Sequence, residues 1–355
     1  PAFFPIRWGQ EKPFRFFFVL AFIGALILGL APSAFIAIIG RTLVGIGVAM
    51  IFVPTMKLLS EWFRVSEFAS MTGLILAMGG IGSLSAAAPM AWMSSWIGWR
   101  LSFISVGAVT FVLALFVWVF VRDRPSDLGW CSVSEFADTS QSTISLRKGM
   151  WQVLSCSSFW PLAIWFFFDA AVFFAFAGLW GGPYLMQIFS LSKAQAGLIL
   201  SMSGIGIIVG GPLLGFLSDS VFQARKPVII ASSLFLSAIT AVFAFYTGTI
   251  PMPALYILSF SLGIFSVSIT SIGYTTNKEL FPVQIAGTAS GIVNFFPFAG
   301  GAVFQPVLGY ILESQGKVSD SFVLKGYQYA FLALFFCGVS AFMASLFLKE
   351  TMSKN

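Results

Sequence analysis

Apolar residues in this chain neither alternate nor recur on one helical face; they run on without interruption. Ten such runs stand at roughly 15–31, 34–57, 68–92, 101–121, 160–188, 195–217, 228–248, 252–276, 286–312 and 327–348. A helix rises about 1.5 Å per residue, so each run is long enough to cross ~30 Å of hydrocarbon. The runs form a group of four and a group of six, divided by one polar connection, Arg122 to Ser158. It holds Asp123, Arg124, Asp127, Glu135, Asp138, Arg147 and Lys148 among many Ser and Thr. Its composition predicts a solvated linker whose last part, 149–159, lies in the membrane interface. The pattern therefore predicts an all-α membrane protein, with an N-terminal bundle over 1–121, a linker over 122–158 and a six-helix bundle over 159–355.

Composition narrows the class further. Of 355 residues, 58% are hydrophobic and 9% charged, and the mean hydropathy is +0.94. Soluble domains carry about 25% charged residues, so a chain this apolar could not keep a water-facing surface. The net charge of +6 might suit nucleic acid, but the placement of the cations decides otherwise. Assigning alternate turns to one side gathers Arg7, Lys12, Arg15, Lys57, Arg64, Arg122, Arg124, Arg147, Lys148, Arg225, Lys226, Lys278, Lys349 and Lys354 there, leaving Arg100, Lys193, Lys317 and Lys325 for the other. That asymmetry predicts a cytoplasmic linker and C-terminus in a bacterial cytoplasmic (inner) membrane. No basic face of the kind that neutralises phosphates is formed, which excludes a nucleic-acid partner. With no histidine, and with Cys131, Cys156 and Cys337 in no paired spacing, neither a metal site nor a cofactor is expected. No nucleophile–base pair appears, so the chain does not read as an enzyme.

An internal repeat organises the spans. Glu61-Trp62-Phe63-Arg64-Val65, then Thr72-Gly73 and Gly82, matches Glu279-Leu280-Phe281-Pro282-Val283, then Ser290-Gly291 and Gly300, at a constant offset. Gly98-Trp99-Arg100-Leu101-Ser102-Phe103 parallels Gly326-Tyr327-Gln328-Tyr329-Ala330-Phe331. Two halves in the same order are what a parallel repeat about the membrane normal leaves in sequence. Pairing four spans with the last four of six implies a first half short of its first two helices, ten visible of an expected twelve. The chain also opens on Pro1-Ala2, without Met.

In the stretch from Gly204 to Pro227, Gly215-x-x-x-Asp219 is followed by Arg225-Lys226-Pro227. This resembles the loop signature of the major facilitator superfamily, the twelve-helix secondary transporters. Arg7 to Arg15 stands where the first-half copy belongs, with Ile6 at its acidic position. Arg41-x-x-x-Gly45-x-Gly47 is similar to the family's fourth-helix motif, and Gly98-Trp99-Arg100 to the turn before its sixth helix. Arg122-Asp123-Arg124-Pro125-Ser126-Asp127-Leu128-Gly129 and Leu179-Trp180-Gly181-Gly182-Pro183-Tyr184-Leu185 resemble segments of its organic-anion and phosphate-ester permeases. Drug-exporting branches usually carry Gly-Pro in the fifth helix; this chain has Gly79-Gly80-Ile81-Gly82 and, later, Ala88-Pro89. The phosphate-ester branch typically uses an arginine in the seventh helix, where this chain offers Asp169, so a phosphorylated substrate is not favoured.

The resemblance implies two rocking bundles around a central solute site, worked by alternating access. It assigns Arg41 as a contact for the solute or for proton relay; a structural arginine satisfied by backbone carbonyls is the alternative. Asp169, within Phe166-Phe167-Phe168-Asp169-Ala170-Ala171, is costly to hold charged in that setting, which makes it the candidate proton carrier. Its alternative is a constant ion pair near a span end. Asn294 and Gln305 flank Pro297 and Gly300-Gly301 and could line a cavity or simply bond neighbouring helices. Trp180, Tyr184, Gln187 and Tyr274 could line the pathway or anchor the membrane interface. Glu61, Arg64, Gly215, Asp219, Arg225, Lys226 and Glu279 belong to paired loop motifs that in the family clasp the two halves; plain surface charge is their alternative. The expected function is proton-coupled movement of a small polar or anionic organic solute by a monomer. A proton-coupled efflux antiporter is the first alternative, and a membrane solute sensor the second.

Overall fold

With no water in the bilayer to bond peptide groups, an apolar run of this length satisfies them internally and becomes a helix. The computed structural model describes residues 11–49, 51, 55, 58–59, 62–63, 65–122, 146–319 and 321–352. Glu61 and Arg64, the first-copy loop at Arg7 and most of the linker fall outside them. Seven helices among the described residues are long and apolar enough to cross a membrane: Met78–Phe120, Phe159–Ile188, Lys193–Val221, Lys226–Phe245, Met252–Leu280, Ile285–Ser314 and Leu324–Leu346. Two shorter apolar helices cover Phe16–Leu30 and Ala34–Ala49. Met78–Phe120 turns at Gly98, whose φ of 79° and ψ of 159° suit only glycine, so it accounts for two of the predicted runs. All ten runs carry helix in their described parts.

By contact the chain forms two units, Pro1–Gly79 with Met90–Gln141, and Gly80–Pro89 with Ser142–Asn355. In the first, α1 (Glu11–Leu30) lies against α2 (Ala34–Ala49) through small residues. A Cβ at Gly40 would strike the backbone of Leu28 and Gly24, and one at Gly47 the backbone of Phe17 and Ala21. Small residues are how helices approach in lipid, where no hydrophobic force drives them together. In α3 (Val65–Phe120), the guanidinium of Arg100 sits 4.5 Å over the Trp99 ring, and its Nη2 donates to Ala31 O at 3.4 Å.

The longer segment of the second unit begins with a short helix, α4 (Leu146–Leu154), in the last part of the predicted linker. Then α5 (Phe159–Ala175) passes through a π turn, Phe176–Trp180, into α6 (Gly181–Ile188). Next, α7 (Lys193–Phe216) runs into a second π turn, Leu217–Val221, and α8 (Lys226–Phe245) follows. A third π turn, Gly263–Ser268, precedes α10 (Thr270–Leu280) in the span that opens with α9 (Met252–Leu262). The next span breaks at Asn294 into α11 (Val283–Val293) and α12 (Phe295–Ser314). A two-residue hairpin, Lys317–Val318 with Ser321–Phe322, leads to α13 (Leu324–Leu346).

Two apolar cores fill this unit. One gathers Phe176, Tyr184, Phe243, Tyr327 and Phe331, the other Val153, Phe159, Trp165, Phe166, Ile229 and Ile285. Three close backbone approaches, at two helix crossings, fix the helices that carry the polar residues. A Cβ at Gly206 would collide with the Phe260 carbonyl, one at Gly263 with the Ser203 carbonyl, and one at Gly300 with the Phe167 carbonyl. Overpacking of this kind costs about 1–3 kcal/mol. Gly300→Val should therefore lower the thermal unfolding midpoint of the purified protein. Gly211→Ala, at a position with open space around it, should leave stability within about 0.5 kcal/mol. Equal stability of the two variants would contradict the packing described.

Candidate functional site

Asp169 lies on α5, two residues past the point where Gly300 presses on Phe167. Its side chain is fully buried. One turn earlier, Trp165 Nε1 donates to Ser233 Oγ at 2.9 Å, and Phe166 packs on Tyr274 with ring centroids 4.9 Å apart. These contacts fix the helix on α8 and α10. Asp169 meets the π turn Gly263–Ser268: Ser266 Oγ lies 3.2 Å from Asp169 Oδ2 and 3.1 Å from the Asp169 carbonyl oxygen, within donating reach of both. Among the described residues Asp169 Oδ1 has no partner. Widening a helix to π geometry redirects side chains and frees carbonyls, and such turns recur at functional sites. Here Ser268 Oγ compensates, bonding Gly263 O at 3.2 Å and Ile207 O at 2.9 Å.

The second polar centre stands at one membrane-surface end, where three spans and the chain's last residues meet. Arg225 Nη1 pairs with Asp219 Oδ1 and bonds Ser218 Oγ at 3.0 Å, and its Nη2 reaches Glu279 Oε1 at 3.3 Å. The cation is the sheltered partner, its side chain 12% exposed against 58% for Asp219. Burial works to lower the pKa of Arg225, but hydrogen bonds and charge from Asp219 and Glu279 outweigh it and raise the value. Helix α8 begins at this arginine without a side-chain cap of its own. The cap comes from the tail: the N–H groups of Arg225 and Lys226 donate to Glu350 Oε1 and Oε2 at 2.9 and 3.0 Å. An anion there also complements the helix dipole. Thr351 Oγ1 donates to Glu279 Oε2 at 2.5 Å, closing a ring from Asp219 through Arg225 and Glu279 to the tail.

The remaining predicted residues are distributed as follows. Arg41 is exposed on α2. Tyr274 OH donates to Asn294 Oδ1 at 2.5 Å, at the break between α11 and α12. Gln305 Nε2 donates to Phe174 O at 2.9 Å while its own carbonyl accepts from Trp180 Nε1 at 2.8 Å, so this pair ties α12 to the α5 span. Tyr184 is buried in the aromatic core and donates to the Thr247 carbonyl. Gln187 Oε1 accepts from Phe322 N at 3.1 Å and Tyr327 OH at 2.9 Å, holding the hairpin. Gly215 has open space around its Cα. The geometry thus brings together Asp219, Arg225, Lys226 and Glu279 with Ser218, Glu350 and Thr351, and sets Ser266 against Asp169; Ser266, Glu350 and Thr351 are partners that the sequence reading did not name. Glu350 carried a usable signal, an acid directly after the last span on the side rich in cations.

The family model described as Major Facilitator Superfamily matches residues 5–181 and 162–355. The chain is 23% identical over 310 residues to the probable galactarate/D-glucarate transporter GudP of Escherichia coli strain K12, covering 81% of this chain and 67% of that protein. It is 22% identical over 363 aligned residues to the probable sulfoacetate transporter SauU of Cupriavidus necator, covering 98% and 80%. With the hexuronate transporter of Bacillus subtilis it shares 23% over 340 residues, covering 89% and 76%. Among solved structures, a bacterial homolog of the human lysosomal transporter Spinster, inward-facing and unoccupied, superposes with a TM-score of 0.70 at 16% identity. That match covers 96% of this chain and 84% of the other, and it is a likeness of fold.

The tail clasp has a pH signature. Burial works to raise the pKa of Glu350, but the N–H groups of Arg225, Met352, Lys226 and Thr351 outweigh it and hold the carboxyl below the usual carboxylate range. A lowered value means that the docking energy is complete above the free-carboxylate pKa and is lost as pH falls through the lowered one. A nitroxide at position 352 should stay immobilised at neutral pH and loosen only in acid, and Glu350→Gln should loosen it at every pH. Mobility independent of both would contradict the clasp.

Proposed function

The chain belongs to the major facilitator superfamily, a multi-pass membrane family of secondary transporters, and we propose that its solute is a small organic acid anion moved with protons. The observation that carries this reading is chemical agreement among relatives: galactarate/D-glucarate, sulfoacetate and hexuronate, the solutes in the names of three of them, are all small, polar and anionic. Arg41, exposed on α2, is the contact for a solute carboxylate, whose geometry the planar guanidinium fork matches. Asp169 is the proton carrier. The membrane is the bacterial cytoplasmic one, with linker and C-terminus on the cytoplasmic side, as the cation asymmetry supports. The protein works as a monomer by alternating access, its two halves being the bundles of 1–121 and 159–355 joined by 122–158.

The Asp169 pair supports two protonation states. As a neutral acid it donates from Oδ2 to Ser266 Oγ, which turns its own hydrogen to the Asp169 carbonyl. As a carboxylate it accepts from Ser266, and Oδ1 is left without a donor. A carboxylate has room for about four hydrogen bonds, so the charged form is poorly served where it now sits. It is better served once the helix exposes it to water. Exposure and proton release are thereby linked, which is what coupling requires. The Asp219–Arg225–Glu279–Glu350 ring acts separately, as a surface clasp that biases which side is open.

Full-length protein reconstituted in vesicles should accumulate glucarate, galacturonate or sulfoacetate when an inward-acid pH gradient is imposed. Asp169→Asn should remove accumulation above equilibrium while leaving solute exchange, and Ser266→Ala should weaken accumulation less. Accumulation unchanged by Asp169→Asn would rule out the carrier role. Gradient-driven exit of cationic lipophiles instead of anion uptake would point to the efflux alternative.

A further inference from the structure

Helix α4 carries a face that transport leaves unused. Gly149 and Val153, one turn apart, are buried. A Cβ at Gly149 would lie 3.5 Å from Ile285 and 3.6 Å from Thr288 of α11, and Val153 shares a core with Ile285 and Ala289. At about 100° per residue, Trp151 points directly away from this buried stripe, with Arg147 and Leu154 to one side of it and Lys148 to the other. Trp151 is 73% exposed, Met150 and Leu154 are exposed beside it, and Arg147 and Lys148 are exposed as well. Residues 155–158 join α4 to the span that begins at Phe159, and Trp160 Nε1 donates to Leu154 O at 3.0 Å. The helix therefore lies at the level where that span enters the membrane. An exposed tryptophan and two cations at this depth match the aromatic belt and the phosphate layer.

We propose that α4 is a binding surface for anionic phospholipid of the adjoining leaflet. Arg147 and Lys148 pair with headgroup phosphates, while Trp151, Met150 and Leu154 seat among the glycerol backbones and upper acyl carbons. The occupant follows from charge complementarity combined with depth: a water-borne anion would use the cations but leave the tryptophan face bare. Because α4 rests on α11, and that span breaks at Asn294 against Tyr274, lipid engagement bears on a helix already interrupted.

Native mass spectrometry of the full-length protein, extracted from vesicles of mixed phosphatidylglycerol and phosphatidylcholine, reads the preference directly. The wild type should retain phosphatidylglycerol over phosphatidylcholine. Arg147→Gln with Lys148→Gln should erode that preference by roughly fivefold per cation removed. Trp151→Ser should lower retention of both lipids. Lys325→Gln, at the start of α13, should change nothing. A second arm needs no substitution: added salt should weaken phosphatidylglycerol retention by the wild type and spare phosphatidylcholine. Retention unchanged in the double variant, insensitivity to salt, or equal displacement by soluble glycerol phosphate would each overturn the proposal, the last by showing an anion site without a lipid.

Discussion

A polar group buried in hydrocarbon without a partner costs several kcal/mol, and nearly every feature of this chain answers to that cost. It turns each apolar run into helix. It also decides where helices depart from regular geometry: at the π turn of Gly263–Ser268, the Ser268 hydroxyl bonds carbonyls of its own span and of α7. Asp169 stands out against this background because it is an acid whose hydrogen bonds are incomplete. Among the described residues, one carboxyl oxygen meets Ser266 and the other meets nothing, inside a unit where most serine, threonine and tyrosine hydroxyls are placed on carbonyls or amides; the hydroxyls of Ser259 and Ser290 and the Asn277 amide are likewise without partners.

The same constraint separates the two polar centres by role. Deep in the bundle, Asp169 meets Ser266 and, among the described residues, no cation. At the membrane surface, Arg225 keeps its charge and is ringed by Asp219, Glu279 and, through its backbone, Glu350. The first suits a step that repeats in every cycle; the second suits a contact that is made or broken as a whole. Exposed ion pairs alone contribute about 0–1 kcal/mol, so the clasp depends on Arg225 being sheltered and on the tail amides that hold Glu350.

Much of this was legible in the sequence because hydropathy is local. The spans and the Asp219–Arg225 loop each lie within a short window of residues. What escaped depends on distance along the chain. Glu350 meets Lys226 across 124 positions, and Ser266 meets Asp169 across 97; neither pairing leaves a spacing to read. The π turns were also invisible, since one extra residue in a helical turn alters register and leaves composition alone. The linker read as solvated, with its end in the interface; what composition did not give is that Gly149 and Val153 seat a helix there on Ile285. Glu61 and Arg64, the first-half partners of this clasp in the repeat, lie outside the described residues.

The central claim is that solute and proton cross together through Asp169. The most direct measurement is the pH outside lightly buffered vesicles that hold the full-length protein, with no gradient imposed and membrane potential clamped. Adding glucarate outside should make the medium more alkaline as protons enter with the anion, and the change should vanish in Asp169→Asn. Solute entry with no accompanying proton movement in the wild type would contradict the account.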